Sequence, residues 1–440
     1  MYERRFWIAM ATVGLIGATS GRQAQGELPE SDLAVKTPDI SLTDLAAPTP
    51  LTAAEEASAA GAILARRFNP AMAFGHRDIW PVSLSYTWAD GANLMAAVVD
   101  DQGQTVSEYE ALPNQRLVED DWGDLPTTDA DGNNIRYSID APGDDRSERG
   151  VSSWRRRWRA IMGGDPLDRT MPAGSQYAPT QHAHLFWLNR DKGLLAIQYW
   201  FFFPYNEWIN HHEGDWEHIN VIVRGPSRLA NDNGWHPVGY QFFFHEFVSE
   251  PKEVMRVSGA DPREDHVVVY TGGKSRLLHW SGLQSGGSYP LPGVFDNVGG
   301  GITGFRASED VSGPERFIRP EDFNVVMLPE PERLDVGLRP ELTWLRLDLF
   351  AGQAHMYENP LSMNGMTFGT VPRQPARQGT WNGRWSPLVW QSRFALAKNA
   401  TTLPKGWQTL RQPFAITPSH LLARPSPGRA KSKRKVFDPR

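Results

Sequence analysis

The chain has 440 residues, of which 22% are charged and 40% hydrophobic, with a net charge of −6. This length allows one large or two ordinary domains with a sizeable core, and the slightly acidic balance does not favour nucleic acid as a partner. Forty glycines, 34 prolines and 17 tryptophans, with few long helical patterns, favour strands and turns. We therefore expect a mainly β fold, with β-sandwich-like antiparallel sheets and a few short helices.

The N-terminus has the pattern of an export signal. Arg4 and Arg5 precede an apolar run over residues 6–18, which is short for a permanent membrane span, and small residues follow it. We expect a signal peptide at 1–26 and a linker at 27–51, which predicts a periplasmic or secreted protein; an uncleaved anchor is the alternative. The absence of cysteine excludes disulfides and a lipid-modified cysteine.

The remaining chain divides into a β-rich domain at 52–395 and a C-terminal extension with a basic tail at 396–440. Thr52 and Glu55 form a capping box that predicts a helix to about Arg67. A hairpin is predicted across the turn at 189–193, and further strands at 238–248, 266–270 and 325–328. Residues 342–350 fit either a strand or a helix.

Two polar segments have ordinary structural interpretations. Asp129 opens an Asp/Asn/Gly cluster that resembles the start of a calcium loop but fails the EF-hand spacing, so a solvated turn is expected. Residues 153–162 predict a short helix with Trp154 and Trp158 on one side and arginines on the other. We expect this helix to pack against the protein, and its basic side would also permit peripheral membrane contact.

Potential metal ligands and acid/base groups concentrate in residues 197–224, where an aromatic strand leads into a polar loop and a second, apolar strand follows it. This stretch carries six potential ligands or acid/base groups: His211, His212, Glu213, Asp215, Glu217 and His218. Since strand side chains alternate between faces, Asp215 and Glu217 share a face with Ile219, Val221 and Val223. The two carboxylates should therefore point into a core.

A carboxylate that faces a core needs a base or a cation as its companion. His212 can fold back across Gly214 toward the same point, and an imidazole with two carboxylates is a workable set of ligands for a divalent ion. Two other interpretations stay open. Asp215 could cap the turn while Glu217 pairs with an arginine, or the two carboxylates could act as a pair without metal.

His182 and His184 share one strand face just before this stretch. They could contribute to the same metal site, but a pair of surface histidines is the preferred interpretation.

The order of motifs resembles the Vps62-related (DUF946-like) family over roughly residues 65–390. The resemblance rests on Phe68-Asn-Pro-Ala, on Ile79-Trp-Pro-Val-Ser-Leu-Ser-Tyr, on Tyr199-Trp-Phe-Phe-Phe-Pro-Tyr-Asn and on His212-Glu-Gly-Asp-Trp-Glu-His. The turn at 272–276 departs from the family because it lacks a histidine that family members usually carry there. The family implies kinship and no particular biochemical activity.

A more local similarity connects residues 203–217 with the necrosis-inducing (NPP1-like) proteins. Those proteins carry Phe-Pro-x-Asp followed by His-x-His-Asp-Trp-Glu and hold a divalent ion in a β-sandwich. The similarity implies that Asn206, His212, Asp215 and Glu217 are the metal ligands here, with Asn206 in place of an aspartate. Oxygen-rich ligands of this kind suit Ca²⁺ or Mg²⁺ better than Zn²⁺.

Three functions fit these observations, so whether the protein is an enzyme stays open, as does its oligomeric state. It could use the ion to bind a polar surface ligand, such as a glycan or a lipid head group. It could be a metal-dependent hydrolase in which His211, His212 or His218 moves protons. It could also be a glycosidase that uses Asp215 and Glu217 without metal.

Overall fold

The computed structural model describes the chain in separate ranges. The predicted signal peptide, most of the predicted linker, the predicted helix at 153–162 and the predicted C-terminal extension lie outside them. The described ranges are 48–75, 80–84, 93–100, 105–112, 125–140, 178–206, 212–229, 234–244, 247–249, 254–258, 265–271, 274–275, 287–290, 294–296, 308–310, 316–352 and 372–381. In these ranges, no helix combines the length and the apolar character that a membrane crossing requires.

A seven-stranded sheet forms the centre of the fold. Its members are β1 (Thr49–Pro50), β6 (Thr180–Asn189), β7 (Leu194–Asn206), β8 (His212–Arg224), β9 (His236–Phe244), β10 (Phe247–Ser249) and β17 (Asn324–Met327). The order is β1-β6-β7-β8-β9-β10, and β17 pairs with β6 in parallel. The predicted hairpin is confirmed, because β6 and β7 are antiparallel across residues 190–193.

Three smaller sheets accompany the central one. The first contains β2 (Ala71–Phe74), β11 (Arg256–Ser258), β12 (Asp265–Thr271) and β16 (Arg316–Ile318). The second contains β3 (Asn93–Val99), β4 (Thr105–Leu112), β5 (Asn134–Asp140) and β18 (Leu349–Phe350). The third contains β13 (Lys274–Ser275), β14 (Val294–Asp296) and β15 (Ser308–Asp310).

One hydrophobic cluster joins the central sheet to two of the smaller sheets. It includes Tyr199 and Ile219 from the central sheet, Phe74 from β2 and Leu94 from β3, all fully buried. The predicted mainly β, sandwich-like fold is thus confirmed. The sheets are mixed where antiparallel ones were expected, because β2 pairs with β12, and β5 with β18, in parallel.

The capping box forms as predicted, but the helix that follows is divided. Thr52 Oγ1 accepts the backbone N–H of Glu55, and the Glu55 carboxylate accepts the N–H of Thr52. This box opens α1 (Ala53–Glu56), and a second helix, α2 (Ala59–Arg67), begins after Ser58. Ser58 is extended and its hydroxyl donates to the Glu55 carbonyl, which ends the first helix early.

Four short 3₁₀ helices lie in the C-terminal third of the described chain. They span Pro320–Asp322, Pro331–Arg333, Pro340–Arg346 and Pro375–Arg377. The ambiguous segment 342–350 therefore combines both predicted possibilities, a helical turn to Arg346 followed by β18. The segments that contain the last two of these helices cover one face of the central sheet through Trp344 and Trp381.

Candidate metal centre

Strand β8 places the two predicted carboxylates on one buried face. Asp215 is 4% exposed and Glu217 is 2% exposed. Their directly opposed neighbours on β7 are Phe203 and Phe201, so aromatic side chains border both acids. We call this side of the central sheet the acidic face.

The alternation predicted along β8 is confirmed. Ile219, Val221 and Val223 belong to the main hydrophobic cluster, whereas Ile222 belongs to a separate cluster with Phe186. Helix α2 lies over the acidic face, because the Tyr199 hydroxyl donates to the Ala65 carbonyl at 2.7 Å. The two acids therefore open a row of side chains that continues into the core.

Gly214 fixes the start of this row. Its φ is +59°, and a Cβ added there would lie 2.0 Å from the Ala351 carbonyl oxygen. Only glycine permits both the left-handed backbone and this close approach of two chains. The close contact with residue 351 holds the backbone immediately before Asp215 against the segment that follows β18.

The backbones of the two other predicted ligands meet at the same end of the sheet. Asn206 and His212 are directly opposed in the register of β7 and β8, three residue pairs from the Asp215–Phe203 pair. Their side chains lie outside the described part of the structure, as does all of His211. The positive φ at Gly214 interrupts the strand's strict alternation, so the position of His212 in sequence does not by itself assign its side chain to a face.

The other side of the central sheet, which we call the histidine face, is also buried. His218 lies there and stacks between Trp200, at 3.9 Å between ring centroids, and Phe243, at 4.0 Å. Burial lowers the pKa of the His218 imidazole well below its ordinary value. His218 was one candidate for moving protons beside Asp215 and Glu217, and the structure places it on the opposite side of the sheet from both.

His182 and His184 lie on the same histidine face. Both are 1% exposed, so their interpretation as surface histidines is wrong. The register pairs His182 with Trp200 and Trp200 with His218, which puts His182 on the side away from the acids. The suggested second contribution of His182 and His184 to the carboxylate site is therefore also wrong.

The C-terminal segments cover the histidine face. Trp344 stacks on Trp216 at 5.7 Å between centroids and meets the His182 ring edge-on at 6.2 Å. Trp381 stacks on His184 at 3.6 Å. Burial lowers the pKa of the His182 imidazole to about 3, which leaves this ring neutral at physiological pH.

Amide side chains add hydrogen bonds on this face. Gln198 donates to the Thr380 carbonyl at 3.0 Å and accepts the indole N–H of Trp200 at 2.9 Å. Asn220 donates to the Gln241 side chain at 2.8 Å. No local sequence signal connects residues 380–381 with the strands they cover, since about 180 residues separate Gln198 from Thr380.

Among the side chains that the structure describes, no three His, Asp or Glu residues are grouped as a complete metal site. Asp215 and Glu217 supply two hard oxygen donors on one face, and the backbone positions of Asn206 and His212 stand near them in register. This donor chemistry fits Ca²⁺ or Mg²⁺.

The Asp129 segment is a closed turn, as predicted. The Asp129 carboxylate accepts N–H groups from the Asp131 and Asn133 backbones and from the Asn133 side chain. These three hydrogen bonds to its own loop lower the pKa of Asp129, with the Asn133 side chain as the largest cause. The carboxylate is thus engaged in stabilising the turn.

No protein-family model and no curated protein matches the chain. Among solved structures, the chain is similar to the crystal structure of a non-toxic HaNLP3 protein, at 13% identity and a TM-score of 0.24. That similarity covers 67% of this chain and 82% of the other. The resemblance to the Vps62-related family stays a prediction, and the similarity to necrosis-inducing proteins stays local to residues 203–217.

Proposed function

We propose that the acidic face binds a divalent cation, Ca²⁺ or Mg²⁺ in preference to Zn²⁺, and that the ion helps an exported, Vps62-like protein to bind a polar surface ligand. The observation that carries this proposal is the burial of Asp215 and Glu217 on one face of one strand. The ligands would be these two carboxylates together with Asn206 and His212.

The energetic argument starts from charge. Two residues apart on a strand, the acids have Cα atoms roughly 6.6 Å from each other, at about 3.3 Å per residue. Two carboxylates this close repel when both are ionised, and burial makes each ionised form more costly. A divalent ion offsets both effects at once.

The same burial favours an ion over a sugar as the occupant. A glycosidase must bring a sugar ring against both carboxylates, whereas Asp215 and Glu217 are 4% and 2% exposed. A single ion needs far less space than a sugar ring. Binding is favoured over metal-dependent hydrolysis because His218, a candidate for moving protons, alternates with Asp215 and Glu217 along β8 and lies on the far side of the sheet from both.

The proposed ligand is a glycan or a lipid head group that presents oxygen atoms near the Asn206–His212 end of the sheet. Export to the periplasm or the outside, where such groups are abundant, agrees with the predicted signal peptide. Contact with lipid head groups would make the protein a peripheral partner of a membrane.

Thermal unfolding tests the metal. We expect chelator to lower the Tm, and Ca²⁺ or Mg²⁺ to restore it, because an ion that binds the native state stabilises it by about 2.7 kcal/mol at a hundredfold excess over Kd. The ligand class is tested by repeating the melt with glycans or with head-group analogues, with and without the ion.

Glu217→Gln removes one proposed ligand, and Glu332→Gln is its control because Glu332 is exposed. We expect Ca²⁺ to raise the Tm of the Glu332 variant as much as that of the wild type, and to raise the Tm of the Glu217 variant only slightly. An equal response in both variants would contradict the role of Glu217, and a wild-type Tm that is insensitive to chelator and to every added ion would overturn the proposal.

A further inference from the structure

A second pair of buried titratable side chains lies on the histidine face, away from the proposed metal centre. His184 and Glu330 are both buried, and His184 Nε2 lies 3.5 Å from Glu330 Oε1. The other ring nitrogen, Nδ1, lies 3.1 Å from the Leu328 carbonyl oxygen. Each ring nitrogen of His184 thus faces an oxygen.

The contact with the Leu328 carbonyl determines the position of one ring proton. A carbonyl oxygen can only accept a hydrogen bond, so Nδ1 must carry its proton and donate it to Leu328. In a neutral ring Nε2 would then present a lone pair to the Glu330 oxygen, which is repulsive when that carboxylate is ionised. A proton on Nε2 converts that repulsion into an ion pair in a buried setting, where an unpaired charge is costly.

We propose that His184 is an imidazolium paired with Glu330, and that this pair is a proton-dependent clasp that fastens the 372–381 segment to the central sheet. The Trp381 ring stacks on His184 with an angle of 17° between the planes, a geometry that favours a cationic ring. The Trp381 indole N–H donates to the second Glu330 oxygen, Oε2, at 3.2 Å, which favours an ionised carboxylate.

The clasp joins three separate parts of the chain. Gln198, directly opposite His184 on β7, donates to the Thr380 carbonyl and so holds the residue next to Trp381. On the other side, the Glu330 backbone N–H donates to Glu56 Oε1 at 3.2 Å, and Arg333 pairs with the same oxygen at 3.2 Å. Proton loss from His184 would therefore loosen a junction of α1, β6 and the 372–381 segment.

The charged groups around the pair bear on how the stability of the fold changes with pH. Glu330 faces His184 from the loop before Pro331–Arg333, and Glu56 and Arg333 stand behind Glu330. His182, two residues away on β6, is neutral because burial lowers its pKa to about 3. A proton held by His184 in the folded chain and released in the unfolded one stabilises the fold below the ordinary histidine pKa of about 6.5, and this stabilisation is lost as pH rises through the folded value.

Nitrogen NMR on the full chain labelled with ¹⁵N-histidine tests the proton directly. At pH 8 we expect one histidine with protons on both ring nitrogens, and we expect this signal to be absent from His184→Gln. Glu330→Gln should retain the His184 resonance but convert it to a neutral ring. A neutral His184 ring in the wild type at pH 8 would overturn the proposal.

Hydrogen exchange tests the clasp and still applies if His184→Gln fails to fold. We expect Glu330→Gln to raise the exchange of the backbone amides in 374–381 by about tenfold relative to the exposed control Glu332→Gln. After correction for intrinsic exchange, the protection of these amides in the wild type should fall between pH 6 and pH 9. In the Glu330 variant their protection should not change with pH. Equal protection and equal pH dependence in Glu330→Gln and the control would contradict the clasp.

Discussion

The two faces of β8 bury polar groups in opposite ways. On the histidine face, polar and aromatic side chains form rows that cross the strands, His182–Trp200–His218 and His184–Gln198–Asn220–Gln241. In the first row Trp200 stacks on His218 and burial keeps His182 neutral, and in the second row Asn220 donates a hydrogen bond to Gln241. On the acidic face, the residues that alternate with these are two acids followed by Ile219 and Val221.

This difference teaches how burial selects the state of a titratable group. An imidazole can enter a core as a neutral ring, and rows of amides can satisfy each other across strands. Two neighbouring carboxylates are ordinarily ionised at physiological pH, so burying them in neutral form costs more free energy than burying a neutral imidazole. The histidine face is thus stabilised by stacking, hydrogen bonds and the proposed His184–Glu330 ion pair, and we expect a cation to stabilise the acidic face.

The largest expected effect comes from Gly214→Ala, which acts where the acidic face begins. A Cβ at this position would collide with the Ala351 backbone, and the positive φ adds strain. We expect the free energy of unfolding to fall by about 3 kcal/mol or more. Urea unfolding followed by circular dichroism measures it.

Gly132→Ala is the matched control. Gly132 also has a positive φ, +87°, but an added Cβ would meet nothing within 4 Å. Backbone strain alone should cost about 1 kcal/mol there. A loss of stability as large in Gly132→Ala as in Gly214→Ala would show that the close contact with Ala351 is unimportant.

Trp381→Phe on the histidine face and Trp187→Phe on the acidic face compare the stability lost when a buried tryptophan becomes phenylalanine. The Trp381 substitution removes the hydrogen bond to Glu330 while keeping a ring to stack on His184. Trp187→Phe on the acidic face makes the same change of ring, but the buried Trp187 Nε1 has no hydrogen-bond partner within the described chain. We expect Trp381→Phe to cost about 1.5–3 kcal/mol more than its counterpart, as for a bond to a charged acceptor. Urea unfolding of both variants checks this, and equal losses would argue against an ionised Glu330.

His182→Gln should change how stability depends on pH. Burial lowers the pKa of His182 in the folded chain to about 3, whereas the unfolded chain protonates this ring near the ordinary histidine pKa of 6.5. Stability is therefore lost as pH falls from 6.5 toward 3, by up to about 1.4 kcal/mol per pH unit from this residue. We expect a shallower slope in the variant when urea unfolding is compared at pH 7, 6, 5 and 4.5, and parallel curves would contradict the assignment.

Sequence reasoning succeeded where one local rule governs the structure. Alternation along β8 placed Asp215 and Glu217 with Ile219 and Val221, and the capping box marked the start of α1. Both depend on residues within a few positions of each other.

Sequence reasoning failed where segments that are distant in sequence determine whether a side chain is buried and which residue it contacts. His182-Ala-His184 has the alternating pattern of a strand with one solvent-exposed face. In the structure, Trp344 and Trp381, which are distant in sequence, cover that face. The aromatic run in β7 was a usable signal, since near-continuous apolar strands are buried on both sides. Glu330 could not be assigned to His184 from sequence, because 146 positions separate them and no spacing rule connects them.

Equilibrium ion binding is the most direct test of the acidic face. Calcium or magnesium titrated into chelator-treated protein should bind at one site per chain in the wild type and in Asp131→Asn, since Asp131 is an exposed acid on a turn. Asp215→Asn should lose that binding while remaining folded by circular dichroism. The same affinity in Asp215→Asn as in Asp131→Asn, or no binding to the wild type, would contradict the account.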